Sequence, residues 1–370
     1  MKEFQYTTLA HRYTARFPTL TYVGTQVNFW IVVNILLVVI LHLNANILGQ
    51  TLAMPAVGNL RSTLLAAVFT GVLYGVGLGL PVYYLDKKIF KKVPLGKILL
   101  FKAVISVALL ALLLTLFRFA LFTDWLFPSF SIAGITLNES SWNSLFYMLL
   151  IYYFFMSLVI GFINQVNKKY GPGVLVPLLL GRYRDPKEEE RIFMFMDLKS
   201  STSIAEKLGH LKYSSFIRDC FADINEVLSP FYAQVYQYVG DEIVVMWPAS
   251  EGLRNQACIR FYFAVKMQFQ SRSEYYERMY GLLPVFKAGL HMGKVTAVEI
   301  GEIKKDIAYH GDVLNTTARI QSVCNEYSSD FLASEYLVEM VGIDKEVKYK
   351  YLGMVLLKGK TEQIGIVTLA

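Results

Sequence analysis

The sequence predicts a multi-domain chain: an all-α four-span transmembrane bundle followed by an α+β ferredoxin-like domain. Four apolar segments follow one another in the first half, each close to the roughly 20 residues that cross a bilayer. The second half alternates short β-branched runs with amphipathic stretches, in the order strand, helix, hairpin, helix, strand. Hydrophobic residues make up 54% of the 370-residue chain and charged residues 18%, and the apolar excess lies in the first half.

Residues 1–28 are polar and aromatic, carry Lys2, Arg12 and Arg16, and form a cytosolic N-terminal segment. They do not resemble a cleavable signal peptide. The transmembrane domain covers residues 29–163, with spans at about 29–48, 63–85, 98–122 and 142–163. Basic residues alternate across these spans. The loop Asp86–Lys97 holds five lysines, and Lys168, Lys169, Arg182 and Arg184 follow the fourth span. The other two loops hold Arg61 alone and no Lys or Arg, respectively. Positive charge on one side places both termini in the cytosol of a multi-pass cell-membrane protein, with membrane lipid as a partner. The net charge of +7 is thereby explained by membrane orientation, and no nucleic-acid partner is expected. Asn34, His42 and Arg118 lie within the spans. Arg118 is near a span end and can reach water, in the direction of Asp124. Cys220, Cys258 and Cys324 are odd in number and widely spaced, which suggests neither a disulfide framework nor zinc.

Residues 164–190 read as a linker, broken by Gly171-Pro-Gly173 and ending in a charged approach, Arg182–Arg191. The C-terminal domain covers residues 191–370. Its first strand, Arg191–Asp197, leads into an amphipathic helix from about Ser201 to Leu228 that Gly209 can divide. Ala233–Trp247 forms a hairpin turning at Gly240-Asp241. A helix over about 252–280 follows. A second hairpin is expected from 285–290 and 295–300, turning at His291-Met-Gly-Lys294. A short strand at 307–309 leads to a helix from about Leu314, and Tyr351–Leu369 forms a last hairpin. His210, His291 and His310 read as surface or turn residues.

Asp197 and Asp241 are two acidic residues at strand ends, an arrangement suited to Mg²⁺ and a polyphosphate. Ser200, Ser201 and Thr202 enter a helix, where backbone N–H groups can bind phosphate or a hydroxyl can cap the helix. Asn315 and Arg319 are four apart and share one helical face, where they could hold a ribose and phosphates or simply face water. The Val239-Gly-Asp-Glu-Ile243 turn differs at two positions from the Gly-Gly-Asp-Glu-Phe turn of diguanylate cyclases.

Taken together, Arg191–Ala370 resembles the class III nucleotidyl cyclases, the adenylate and guanylate cyclase catalytic domain. The resemblance implies a homodimer with active sites at the interface. It implies two Mg²⁺ or Mn²⁺ ions per site on Asp197, Asp241 and the backbone carbonyl of Leu198. Asn315 and Arg319 correspond to the transition-state-stabilising pair, supplied by the other subunit, and Lys358 to a lysine that contacts the polyphosphate. Gln237 and Ala308 stand at the base-recognition positions, where adenylate cyclases usually have lysine and Asp or Thr. The expected reaction converts a nucleoside triphosphate, ATP first, to the 3′,5′-cyclic monophosphate and pyrophosphate. Specificity for GTP or a pyrimidine triphosphate, or a catalytically inactive receptor module, are the alternatives.

Overall fold

A computed structural model describes residues 13–14, 16–52, 59–89, 93–122, 139–170, 180–303, 305–342 and 348–370. The chain divides into two compact units, Phe17–Pro172 and, for nearly all the rest, Gly173–Ala370. Lys2, Arg12, Lys91, Lys92, Asp124 and the Gly171-Pro-Gly173 break lie outside the described residues.

The first unit holds four helices long and apolar enough to cross a membrane: α1 (Pro18–Leu52), α2 (Leu60–Lys88), α3 (Leu95–Phe122) and α4 (Glu139–Tyr170). Each is longer than the apolar stretch within it. Asn59 caps α2 by accepting from the Arg61 N–H at 3.0 Å. Gly71, Gly75 and Gly79 form one stripe on α2 that receives Ile31, Val27 and Val23 of α1. A Cβ on Gly71 would lie 2.7 Å from the Ile31 Cα, too close for any side chain. Inside the bundle, Trp30, Tyr74 and Tyr153 pack ring on ring at 4.4–5.2 Å. The Tyr153 hydroxyl donates to Asn34 Oδ1 at 2.7 Å, so the buried amide is satisfied. Arg118 pairs with Glu139 at 3.3 Å. Lys102 was not singled out by sequence, yet it is buried and pairs with Asp86 at 2.7 Å, and Asp86 also meets Lys168 at 3.0 Å. Leu36, Phe69, Leu112 and Phe155 are among the many large apolar side chains that point outward from these helices.

The second unit is an eight-stranded sheet with helices on both faces. Its elements are β1 (Lys187–Leu198), α5 (Ser201–Leu208), α6 (His210–Leu228), β2 (Gln234–Val239), β3 (Glu242–Pro248), α7 (Ala257–Ser271), α8 (Ser273–Tyr280), β4 (Phe286–Ile300), β5 (Asp306–His310), α9 (Asp312–Ser322), β6 (Phe331–Ser334), α10 (Glu335–Val341), β7 (Tyr349–Val355) and β8 (Ile364–Leu369). The strand order is β2-β3-β1-β4-β6-β8-β7, with β5 paired to β4. The β2-β3-β1-β4 portion is all antiparallel, with helical crossovers β1-α5-α6-β2 and β3-α7-α8-β4, which is the ferredoxin-like arrangement.

Alternation along β1 explains the two layers. Ile192, Met194, Met196 and Leu198 enter the main core with Phe216, Trp247, Phe261 and Tyr276. Phe193 and Phe195 point to the other face and pack with Tyr236, Tyr309, Val313 and Leu314. Asp197 continues this second series, toward the face that α9 covers. Gly209, with φ +72°, divides α5 from α6.

Three expectations are corrected. The strand expected from Arg191 begins at Lys187. The expected hairpin over 285–300 is a single strand, β4. Its ladder with β1 runs unbroken from Lys187↔Ala297 to Leu198↔Phe286. Gly293 serves close packing rather than a turn: a Cβ there would be 2.7 Å from Val313 Cγ2 on α9. His291 consequently lies within β4, where its Nδ1 meets Ser334 Oγ at 2.7 Å. Finally, β6 and α10 lie between α9 and β7 in a segment to which the sequence assigned no element.

Candidate active site

Asp197 is the penultimate residue of β1 and is flanked across the ladders by Glu242 of β3 and Lys287 of β4. Asp241 follows Gly240 in the two-residue turn between β2 and β3. Gly240 adopts φ +62°, a conformation that glycine enters without strain. The turn brings the Asp241 carboxylate beside that of Asp197. Burial and then the Asp241 charge raise the Asp197 carboxyl above the usual range, partly offset by Lys287 and by a hydrogen bond from Gln321. Burial, with the charges of Asp197 and Asp241, pushes Glu242 up to about 7. Negative charge is therefore crowded at this corner of the sheet, and Lys287, 3.8 Å from Asp197, opposes it directly. A cation fits such a site. Among the described residues, no group of three or more His, Cys, Asp or Glu side chains is arranged around one metal position. Two carboxylates plus a backbone carbonyl such as that of Leu198 would leave coordination positions open to phosphate and water.

The loop after β1 adjoins this corner. Ser200 takes a left-handed conformation, φ 58° and ψ 32°, and no side chain caps the N-terminus of α5. Ser200, Ser201 and Thr202 are therefore not helix caps, and the first-turn N–H groups of α5 stay open to an anion. The Ser201 hydroxyl bonds Tyr213 of α6, whose phenol is raised by burial and then by the nearby Asp241 charge.

Asn315 and Arg319 stand on the face of α9 turned away from the sheet. Val313, Thr316, Thr317, Ile320 and Gln321 form its buried face. The Arg319 guanidinium lies against Gly359, the residue after Lys358, where a Cβ would be 3.3 Å from Nη2. Lys358 is exposed, and Lys360 pairs with Asp312 at the start of α9. Asn315, Arg319 and the Lys358 loop thus make one group, and Asp197 with Asp241 another. Within one chain these groups lie on opposite faces of α9, since Gln321 of the buried face donates to Asp197 Oδ2 at 3.3 Å.

Gln237 is exposed on β2, opposite Val244 and beside a bulge at Tyr236. Ala308 is buried on β5, opposite Val298. Their neighbours touch: the Tyr309 N–H donates to the Tyr236 hydroxyl at 3.4 Å. Lys287, Gln321 and Tyr213 were not anticipated from sequence. Lys287 was legible in principle, because an antiparallel β1–β4 pairing sets it opposite Asp197, but the expected hairpin concealed that pairing.

Residues 185–368 match the model of the adenylate and guanylate cyclase catalytic domain. The C-terminal domain belongs to this family. Adenylate cyclase 2 of Rhizobium meliloti (strain 1021) is 34% identical over 220 residues, covering 60% of this chain and 61% of that protein. Adenylate cyclase 1 of the same organism is 25% identical over 184 residues, covering 48% of this chain and 27% of its own. The chain thus spans less than two thirds of either relative's length. A bacterial light-regulated adenylyl cyclase structure shares the fold with a TM-score of 0.50 at 20% identity, covering 58% of this chain and 64% of that one. The four apolar helices precede the cyclase domain in sequence.

Proposed function

We propose that the protein is a membrane-bound class III adenylate cyclase that converts ATP to 3′,5′-cyclic AMP and pyrophosphate for intracellular signalling. The observation that carries this is the crowded Asp197–Asp241 pair, with Asn315 and Arg319 on the far face of α9 beside the loop that holds Lys358. Two complementary half-sites that face apart within one chain support a homodimer in which each site draws on both subunits.

Asp197, Asp241 and the Leu198 carbonyl would hold Mg²⁺ or Mn²⁺, two ions per site. Such ions, when bound, acidify the ribose 3′-OH and neutralise the polyphosphate. The open N-terminus of α5, at Ser200, Ser201 and Thr202, binds phosphate oxygens. Lys287, from the same subunit, and Lys358, from the other, add positive charge. Asn315 orients the ribose so that its 3′-oxygen attacks the α-phosphorus in line. The bond to the β-phosphate oxygen breaks, pyrophosphate leaves, and the hydroxyl proton passes to solvent or to substrate phosphate. Arg319 stabilises the charge that develops on the α-phosphoryl group.

Four helices with outward-facing apolar side chains support a multi-pass cell-membrane location, and the alternation of basic residues supports cytosolic termini. The proposed domains are a cytosolic segment over residues 1–28, a membrane domain over 29–163, and a linker from 164 that ends before β1 at Lys187, where the catalytic domain begins. A second reading concerns the base. Ala308 offers no side-chain hydrogen bond and Gln237 can both donate and accept, which suits GTP or a pyrimidine triphosphate as well as ATP. Incubation of the purified full chain with each of the four triphosphates and Mn²⁺ or Mg²⁺, with products identified by mass, tests both. Cyclic AMP as the main product is expected. Another cyclic nucleotide would replace ATP as substrate, and no product from any triphosphate would leave the inactive-receptor reading.

A further inference from the structure

Gln321 has no place in the reaction as described, yet it is the neutral side chain that hydrogen-bonds the first acidic residue of the site. It is buried on α9, and its Nε2–H donates to Asp197 Oδ2 at 3.3 Å. Such a donor engages one carboxylate oxygen of Asp197, and the same carboxyl also meets that of Asp241. The position is tightly built. Gly289 of β4 lies directly beneath it, and a Cβ there would come within 2.7 Å of both the Gln321 Cβ and the Thr317 carbonyl. The absence of a side chain at 289 lets α9 sit on the sheet closely enough for the amide to reach Asp197. On the opposite strand side, Lys287 approaches the same Oδ2 at 3.8 Å. One oxygen of Asp197 is thus held from two directions by groups of β4 and α9.

We propose that Gln321 is a positioning residue for the metal-binding carboxylate of Asp197. This rests on the reading of Asp197 and Asp241 as the cation site. The amide fixes the Asp197 rotamer so that its other oxygen faces the cation, and it ties that carboxylate to the helix carrying Asn315 and Arg319. Partners of metal ligands of this kind are typically worth roughly 10- to 100-fold in metal affinity. A buried glutamine whose function is only to fill space would not affect metal binding.

The test uses the full chain in detergent, with Mn²⁺ as probe and no nucleotide, and reads free Mn²⁺ by its electron paramagnetic resonance signal. Gln321→Met keeps the length and volume and removes the donor. It is expected to weaken Mn²⁺ binding roughly ten-fold. In turnover assays the half-activating Mn²⁺ concentration should rise by the same factor, with kcat recovering at saturating Mn²⁺ and the nucleotide KM unchanged there. Gln321→Asn keeps the polarity but cannot reach Asp197, and it should behave alike; it also serves if the methionine variant misfolds. Thr317→Val perturbs the same buried face without touching Asp197 and should bind Mn²⁺ as the parent does. Parental Mn²⁺ affinity in both Gln321 variants, or an equal loss in Thr317→Val, overturns the proposal. Asp197→Asn separates the two levels. If it also binds Mn²⁺ normally, the cation site itself is misassigned; if it alone loses binding, only the role of Gln321 falls.

Discussion

At the scale of single residues, the site is defined by charges that the fold holds close together. Asp197→Asn or Asp241→Asn should abolish cyclic nucleotide formation while the purified protein keeps its circular dichroism spectrum; normal output from either would remove the metal assignment. Arg319→Ala removes one stabilising group for the developing phosphoryl charge and should lower kcat by roughly 10²–10³-fold. His291 gives a pH prediction. Burial, and then the nearby Lys360 charge, lowers it from 6.5 to about 4. Between those values the unfolded chain binds a proton that the folded one refuses, so stability falls as pH drops from 6.5 toward 4. Replacing it by His291→Gln keeps a polar partner for Ser334 and removes the titration. Melting temperatures of the variant should therefore depend less steeply on pH across that window.

At the scale of elements, the acidic corner was legible and its supports were not. A β-branched run, a Gly-Asp turn and a second β-branched run specify β2 and β3 locally, so Asp241 could be placed from sequence alone. Asp197 followed from the end of an apolar run. β4 defeated the same reasoning, because Gly293 carries no local sign of whether it bends the chain or admits a helix. Only the ladder with β1 and the packing of Val313 decide that. Lys287 and Gln321 became visible only with that ladder, as their roles depend on residues 90 and 124 positions away in sequence from Asp197. β6 is four residues long, too short for its alternation to stand out. Gly289→Ala tests the packing. The new methyl group meets the backbone of α9, which cannot yield as a side-chain tip would. A loss of about 1–3 kcal/mol in unfolding free energy is expected by denaturant titration, together with loss of activity.

At the scale of the whole molecule, the two faces of α9 dictate how variants combine. A chain with Asp241→Ala keeps its Asn315 and Arg319, and a chain with Arg319→Ala keeps its acidic pair. Co-expression of the two should restore up to about a quarter of parental activity, through mixed dimers that each hold one intact site, a value set by random pairing of rigid subunits. Cyclic nucleotide measured in the co-expressing membranes, compared with each variant alone, checks this. The four apolar helices were readable from composition, since a bilayer demands length and apolarity before any detail. The glycine stripe on α2 and the burial of Lys102 were not, because both express contacts between helices.

The pairing of Lys102 with Asp86 bears on how the chain is made. A lysine within an apolar helix is disfavoured when that helix enters a bilayer alone, by up to about 2.5–3.5 kcal/mol at the centre and less toward the ends. Asp86, at the end of the preceding helix, can neutralise it before it meets lipid. On the proposed membrane location, α2 and α3 are thus expected to leave the translocon together, with Lys102 already paired, rather than in turn. Asp86→Asn should lower the fraction of newly made protein that resists alkaline extraction from membranes, and adding Lys102→Met should restore it.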